Sequence, residues 1–268
     1  MLNGLCFEVS YKTIRKTMTV EELIIHKIVV LVPFRNVGGY IIDCVNSLLG
    51  QQYNNYEVFL LDDASDDDTL DLVNEDYEHI HKRRNQNRLG SLENIYKALT
   101  ELNINDEDIV ILLDGDDYIF GEYAFQIINE KYNSNLLLTY GRYIDNYGRP
   151  VLWEPYSEEE FNNLRTAPWK ASHLKTFKYK LFKAFLQEDP NVENFKYNNG
   201  QFYKASCDRG IMIPLMEVAG YENTSMVNNI IYCYRLHSKN NHVSTEGRNI
   251  QIEAENHISN RPSLKRRF

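Results

Sequence analysis

The sequence predicts an α/β fold with a mostly parallel central sheet flanked by helices, and three observations carry that expectation. "KIVVLVPF" (27–34) is a continuous β-branched and aliphatic run, the character of a strand covered on both faces. Ile41, Ile42, Val45, Leu48 and Leu49 follow at helical spacing, with Gly50 as a stop. The alternation then recurs through "YEVFLLDD" (56–63) and "DIVILLD" (108–114), which implies right-handed crossovers and parallel pairing.

Taken in order, residues 1 to 26 read as an extension with a short helix over Val20–Ile25, and the core begins at Lys27. After the second strand, Ser65 or Asp66 caps an expected helix carrying Leu70, Leu72 and Val73. A third helix places Leu92, Ile95, Tyr96 and Leu99 on one face before the strand "DIVILLD". Beyond it, Leu136–Tyr140 reads as a strand, "DNYG" (145–148) as a turn, and Ser157 with Glu160 as a capping box. Leu174, Phe177, Leu181, Phe182 and Phe185 stand at helical spacing. Another helix runs from about Asp208 to Ala219 before Gly220, distorted at Pro214, and "IIYCYRLH" (230–237) reads as a strand. Residues 243–268 read as a polar tail, mobile or loosely packed.

Composition narrows the function. The chain has 268 residues, 43 % hydrophobic and 25 % charged, which is enough for one sizeable core. A net charge of −9, with Lys265-Arg266-Arg267 a compact basic run at the tail, argues against nucleic acid as a partner. Cys6, Cys44, Cys207 and Cys233 are too scattered for a zinc site or a disulfide framework. With no apolar stretch near ~18 residues and no signal-peptide pattern, the expectation is a cytoplasmic protein without a transmembrane segment, peripheral membrane contact being left open.

In open parallel sheets the ligand sits outside the carboxyl ends of the strands. The polar residues ending the three strands, around Asn36, Asp62 and Asp63, and Asp114 to Asp117, therefore share one crevice. Asp114 and Asp116, one residue apart, offer hard oxygens that suit Mg2+ or Mn2+, above all with a diphosphate completing the shell. Gly115 lets the backbone turn between them. The alternative for such a D-x-D is an acidic turn capping the next helix.

"VVLVPFRN" (29–36), "YEVFLLDDASDDDT" (56–69), "NRLGSLEN" (87–94) and "ILLDGDD" (111–117), in that order, resemble the nucleotide-sugar half of the family 2 glycosyltransferases with the GT-A fold. "APWKASHLKTFKYKLF" (167–182), "CDRGIMIPLMEVAG" (207–220) and "YRLHSKNN" (234–241) extend the resemblance to about residue 242. It implies a single domain over 27–242, with a Rossmann-like nucleotide-sugar half (27–130) and an acceptor half (131–242). It further implies a metal-dependent, inverting hexosyltransferase of glycan biosynthesis. The donor is a nucleotide-sugar, with UDP the commonest nucleotide, and the acceptor a glycan, lipid-linked or protein hydroxyl. A homodimer is compatible with it.

The resemblance also assigns roles. Pro33, Phe34, Arg35, Asn36 and Asp62 or Asp63 hold the nucleoside, with Arg88 and Gly115 beside them; an aromatic residue is usual where Arg35 stands, which turns base stacking over to Phe34. Asp114 serves the ribose or the metal, Asp116 the metal, and Asp117 the loop or the next helix. Asp208 is the candidate base, its alternative being an ordinary helix N-cap. A histidine is the further metal or diphosphate contact: His237 is the metal candidate, His173 is placed with the nucleotide- and sugar-binding residues, and His242 is weighed beside them. Trp169 and Trp153 form a sugar-stacking platform or else lie buried. Two rivals remain: a sugar-phosphate nucleotidyltransferase, whose Gly-rich basic loop "PFRNVGGY" does not match, and an inactive glycan- or protein-binding module.

Overall fold

Ile28–Phe34 forms β1, and all seven residues are buried in the computed structural model, which describes residues 23–74, 77–237 and 244–268. Its position explains its composition. β1 lies between β2 (Tyr56–Asp62) and β4 (Ile109–Leu112), parallel to both. Val29 and Leu31 enter the core on one face with α2 (Ser91–Glu101), α5 (Tyr179–Glu188) and α6 (Cys207–Ala219). Ile28, Val30 and Val32 enter the core on the other with α1 (Tyr40–Leu49) and α3 (Ala124–Tyr132). Two covered faces require the unbroken apolar run.

The sheet order is β3-β2-β1-β4-β8-β6-β9-β5, with β7 beside β6. β3 is Ile80–Arg84, β5 Tyr118–Ile119, β6 Leu138–Asp145, β7 Pro150–Val151, β8 Ser172–Lys178 and β9 Thr224–Tyr234. The strands β3-β2-β1-β4 are parallel, as is the pair β6 and β9. β8 runs antiparallel to both β4 and β6, joining the two parallel parts into one sheet. The expected capping box is present, Ser157 and Glu160 opening the short α4 (Glu158–Phe161).

Three expectations are corrected. The helix expected after the second strand is a single 3-10 turn, Thr69–Leu72, followed by the edge strand β3. The helix expected from Leu174 is the strand β8 running into α5. Leu174 and Phe177 stand three apart, which mimics one helical face, yet they enter opposite cores, as strand residues of odd separation must. The polar tail contains α7 (Thr245–Ser259), docked through buried Ala254 and Ile258. One buried i, i+4 pair, with Ile250 and Ile252 of the same helix left exposed, gives too little periodicity to read. Most of the helix expected at Val20–Ile25 falls outside the described residues, and Leu23–Ile25 are not helical.

Arg165, 5 % exposed, fastens this docking. Its guanidinium donates to Glu217 at 2.8 and 2.6 Å, to the Ile258 carbonyl at 3.0 Å and to Asn194 Oδ1 at 2.9 Å. Removing one partner strands a buried charge, at a cost of about 3–5 kcal/mol. Urea unfolding of Arg165→Ala is expected to show a loss of that size. Arg83→Ala, which breaks a surface pair with Glu101, is expected to change little.

Candidate active site

The carboxyl ends of β1, β2 and β4, the start of α6 and the residues after β9 border one cleft of about 610 Å3. Of the residues singled out in the sequence, Pro33, Phe34, Arg35, Asn36, Asp63, Arg88, Asp114, Asp116, Asp208 and His237 line it. Asp62, Gly115, Trp169 and His173 do not belong to that lining.

The loop after β1 is built on Asn36, held at φ +54°, a region Asn tolerates better than most residues. Its N–H donates to Ser65 Oγ at 3.1 Å, and its Oδ1 accepts from the Asp66 N–H at 3.0 Å. Arg35 Nη2 donates to Asp66 Oδ2 at 3.2 Å. Ion pairing thus occupies the residue that stands where an aromatic one is usual. The choice between Asp62 and Asp63 resolves by strand alternation. Asp62 is fully buried, accepting from the Ser65 N–H at 2.8 Å and Arg84 Nε at 2.7 Å. Asp63 faces the cleft and accepts from the N–H groups of Leu89 and Gly90 at 2.7 and 2.8 Å. That contact draws the Arg88 loop and the start of α2 to the cleft wall.

Asp114 to Asp117 divide the work. Burial pushes the Asp114 carboxyl up to about 6; Lys175 opposes the rise, and Asp208 and Asp116 add to it. Asp116 Oδ2 lies 2.8 Å from His237 Nε2. Asp117, 1 % exposed, accepts from Tyr232 Oη at 2.5 Å and the Arg235 N–H at 2.7 Å. It therefore holds the loop, as one of the two readings expected. Burial, followed by Asp116 and Asp114, drives its carboxyl well above the ordinary range. Gly115 is required for a different reason than turning: a Cβ there would stand 2.6 Å from Phe34 Cβ.

Asp208 lies in the first turn of α6, whose N-cap is Ser206, so capping does not explain it. One carboxylate oxygen takes a hydrogen bond from Lys175 Nζ, while the side chain stays 40 % exposed. Burial raises the Asp208 carboxyl, but the Lys175 ammonium outweighs it and leaves the group below its ordinary range. Lys175, 2 % exposed, remains protonated: burial works against the charge, and the carboxylates of Asp208 and Asp114 more than restore it. The sequence reading missed this lysine, whose one signal is a charge inside the apolar strand "HLKTF". It also missed Arg235, Lys204 and Gln251, the last two lining the cleft.

His173 is 6 % exposed, stacked on Tyr232 with centroids 4.3 Å apart, and its ring is held neutral by burial and by Lys175, which lower it to about 3. Trp169 packs against the core with Arg209 over its ring at 5.6 Å, and Trp153 is exposed. His242 lies outside the described residues. Cys44, Cys207 and Cys233 carry free thiols, and among the described residues no helix is long and apolar enough to cross a membrane.

Among the described residues one set of three acidic or histidine side chains converges as it stands, and a second set shares the cleft without converging as closely. Asp114, Asp117 and His173 bring ligand atoms within 4.8 Å of one another, but Asp117 has both oxygens engaged and His173 is walled in. Asp114, Asp116 and His237 all open on the cleft, where oxygen and imidazole donors suit Mn2+ or Mg2+.

The curled, mostly parallel α/β sheet flanked by helices is the GT-A type fold, shared with solved glycosyltransferases. Staphylococcus aureus TarS (residues 1–349) in complex with UDP-GlcNAc superposes with a TM-score of 0.59 at 18 % identity, covering 88 % of this chain and 61 % of that one. Mannosyltransferase PcManGT from Pyrobaculum calidifontis, in complex with GDP-Man and Mn2+, gives 0.56 at 14 % identity over 85 % and 62 %. Residues 29–199 match glycosyl transferase family 2, and the chain belongs to that family. Its relatives include chondroitin synthase of Escherichia coli, 25 % identical over 242 residues (85 % of this chain, 31 % of that protein). Glycosyltransferase GlyG of Streptococcus pneumoniae serotype 4 is 24 % identical over 226 residues (78 % and 70 %). The chain thus spans about a third of the chondroitin synthase.

Gly115→Ala is expected to cost about 1–3 kcal/mol through overpacking against Phe34, measured by urea unfolding, and to weaken nucleotide binding in calorimetry. Gly39→Ala, with φ −64° and nothing within 4 Å of the added methyl, is expected to leave both unchanged.

Proposed function

We propose that the chain transfers a sugar from a nucleotide-sugar donor, a UDP-sugar, to an acceptor hydroxyl with inversion and with the aid of Mn2+ or Mg2+. One observation carries this: Asp63, Asp114, Asp116, Asp208 and His237, from separate segments, share a cleft of about 610 Å3, the size of a small-molecule site. The UDP-GlcNAc and UDP complexes of TarS support the donor class, and the Mn2+ complex of the mannosyltransferase supports a divalent cation. Residues 27–130 then serve as the donor half and 131–242 as the acceptor half, with α7 adding Gln251 to the wall.

The chemistry follows from what each residue can do. Phe34, Asn36 and Asp63 bind the nucleoside, and Arg88 lies beside it. The acceptor oxygen attacks the anomeric carbon as its proton passes to the open side of the Asp208 carboxylate. The bond from that carbon to the β-phosphate oxygen breaks, and its electron pair leaves with the nucleoside diphosphate. Attack from the opposite face inverts the configuration. Lys175 keeps Asp208 ionised, ready to receive a proton. Asp114, Asp116 and His237 would hold the cation, which when bound supplies positive charge for the departing diphosphate.

A screen of nucleotide-sugars for release of the free diphosphate tests the donor directly, and UDP-sugars are expected to be turned over. Asp208→Asn is expected to lower kcat by about 10²- to 10⁴-fold while the Kd for UDP stays constant. Mn2+ with UDP is expected to raise the Tm, and Asp116→Ala to abolish that gain. Absence of a Tm shift together with absence of diphosphate release from any donor would refute the proposal.

A further inference from the structure

Arg235, directly after β9, joins the Asp116–Asp117 loop to α1 and to two aromatic rings. Its Nε donates to the Asp116 carbonyl at 2.9 Å and its Nη2 to Asp43 Oδ2 of α1 at 2.7 Å. Its guanidinium carbon stands 4.7 Å from the Tyr40 ring centroid and 5.4 Å from that of Tyr118. Its own N–H binds Asp117 Oδ1 at 2.7 Å. The Arg235 side chain is 14 % exposed, while its partner Asp43 is open to water.

Two residues further along, His237 rests on the same Tyr40 ring, with centroids 5.0 Å apart, and meets Asp116 through Nε2 at 2.8 Å. Tyr40 is thus shared by the arginine and the histidine, and Asp116 is held at its backbone by the one and at its carboxylate by the other. Resting on the divalent-cation reading above, we infer that Arg235 is a positioning residue. It fixes the Asp116–His237 pair in register before a cation arrives, by tying the Asp114–Asp117 loop, α1 and the end of β9 to one planar fork. Lysine is not equivalent: an ammonium has no planar fork to span Asp43 and the Asp116 carbonyl while lying flat against two rings.

Charge and position make opposite predictions here. Removing a cation beside a metal site should tighten Mn2+ binding if charge alone mattered, and Arg235→Lys should then change nothing. Positioning requires both Arg235→Gln and Arg235→Lys to weaken it, by about tenfold or more, the usual effect of losing a partner that orients a ligand. The test is titration of free Mn2+ by electron paramagnetic resonance with saturating UDP, on wild type and both variants, with far-UV circular dichroism for folding. Arg235→Lys, which keeps the charge and most of the stem, decides the matter if the Gln variant does not fold. Equal or tighter Mn2+ binding by the variants, with wild type binding normally, would overturn the role of Arg235 alone. Absence of Mn2+ binding by wild type would remove the cation reading and this role together.

Discussion

The structure depends on the compensation of carboxylates. Parallel strands deliver acidic ends to one place, where they lose hydration and repel one another, and each such group is unfavourable unless something meets it. The chain answers each with a different partner. Asp62 meets the Arg84 guanidinium, Asp63 two backbone N–H groups, Asp117 a phenol and a backbone N–H, and Asp208 the ammonium of Lys175. Even so, burial leaves the Asp114 carboxyl raised to about 6 against the pull of Lys175, and the Asp117 carboxyl well above the ordinary range.

This division separates the cleft into functional parts. Asp62 and Asp117, buried with their partners, shape loops, and Asp63 both holds the Leu89–Gly90 backbone and lines the cleft. The carboxylates with oxygen atoms left toward the cleft, Asp114, Asp116 and Asp208, remain able to interact with a ligand. Lys175 matters to both sets. Buried in β8 opposite Leu112 of β4, it lies between β4 and the start of α6 and places its charge near Asp208, Asp114 and Asp117. The antiparallel insertion of β8 is therefore more than a structural bridge between two parallel parts: it is the element that carries the counter-charge into the cleft.

Legibility followed the physics of each segment. β1, β2, β4, α1 and α2 were readable because elements buried on two faces, or on one broad face, impose strong patterns on the sequence. The sharing of a crevice by their acidic ends followed from topology, without coordinates. The second half was harder. Spacing of three in "LKTF" suits a helix face as well as two faces of a strand, and long-range pairing with β4 and β6 decided between them. α7 was illegible because only Ala254 and Ile258 are buried, and its attachment runs through Arg165 and His257, polar contacts that leave no periodic trace. Among site residues, Asp62 and Asp63 could be told apart only from their contacts, and His173 is buried against Tyr232 whereas His237 lines the cleft beside Asp116.

The central claim of the proposed function is that the cleft-lining Asp116 and His237, and not the buried trio of Asp114, Asp117 and His173, receive a cation together with a nucleoside diphosphate. A crystal structure of the chain with UDP and Mn2+ tests it most directly. The expected result is an ion coordinated by Asp116 and His237 and by the diphosphate, with Lys175 still bonded to Asp208. An ion seated between Asp117 and His173, or a nucleotide bound away from Phe34 and Asp63, would contradict it.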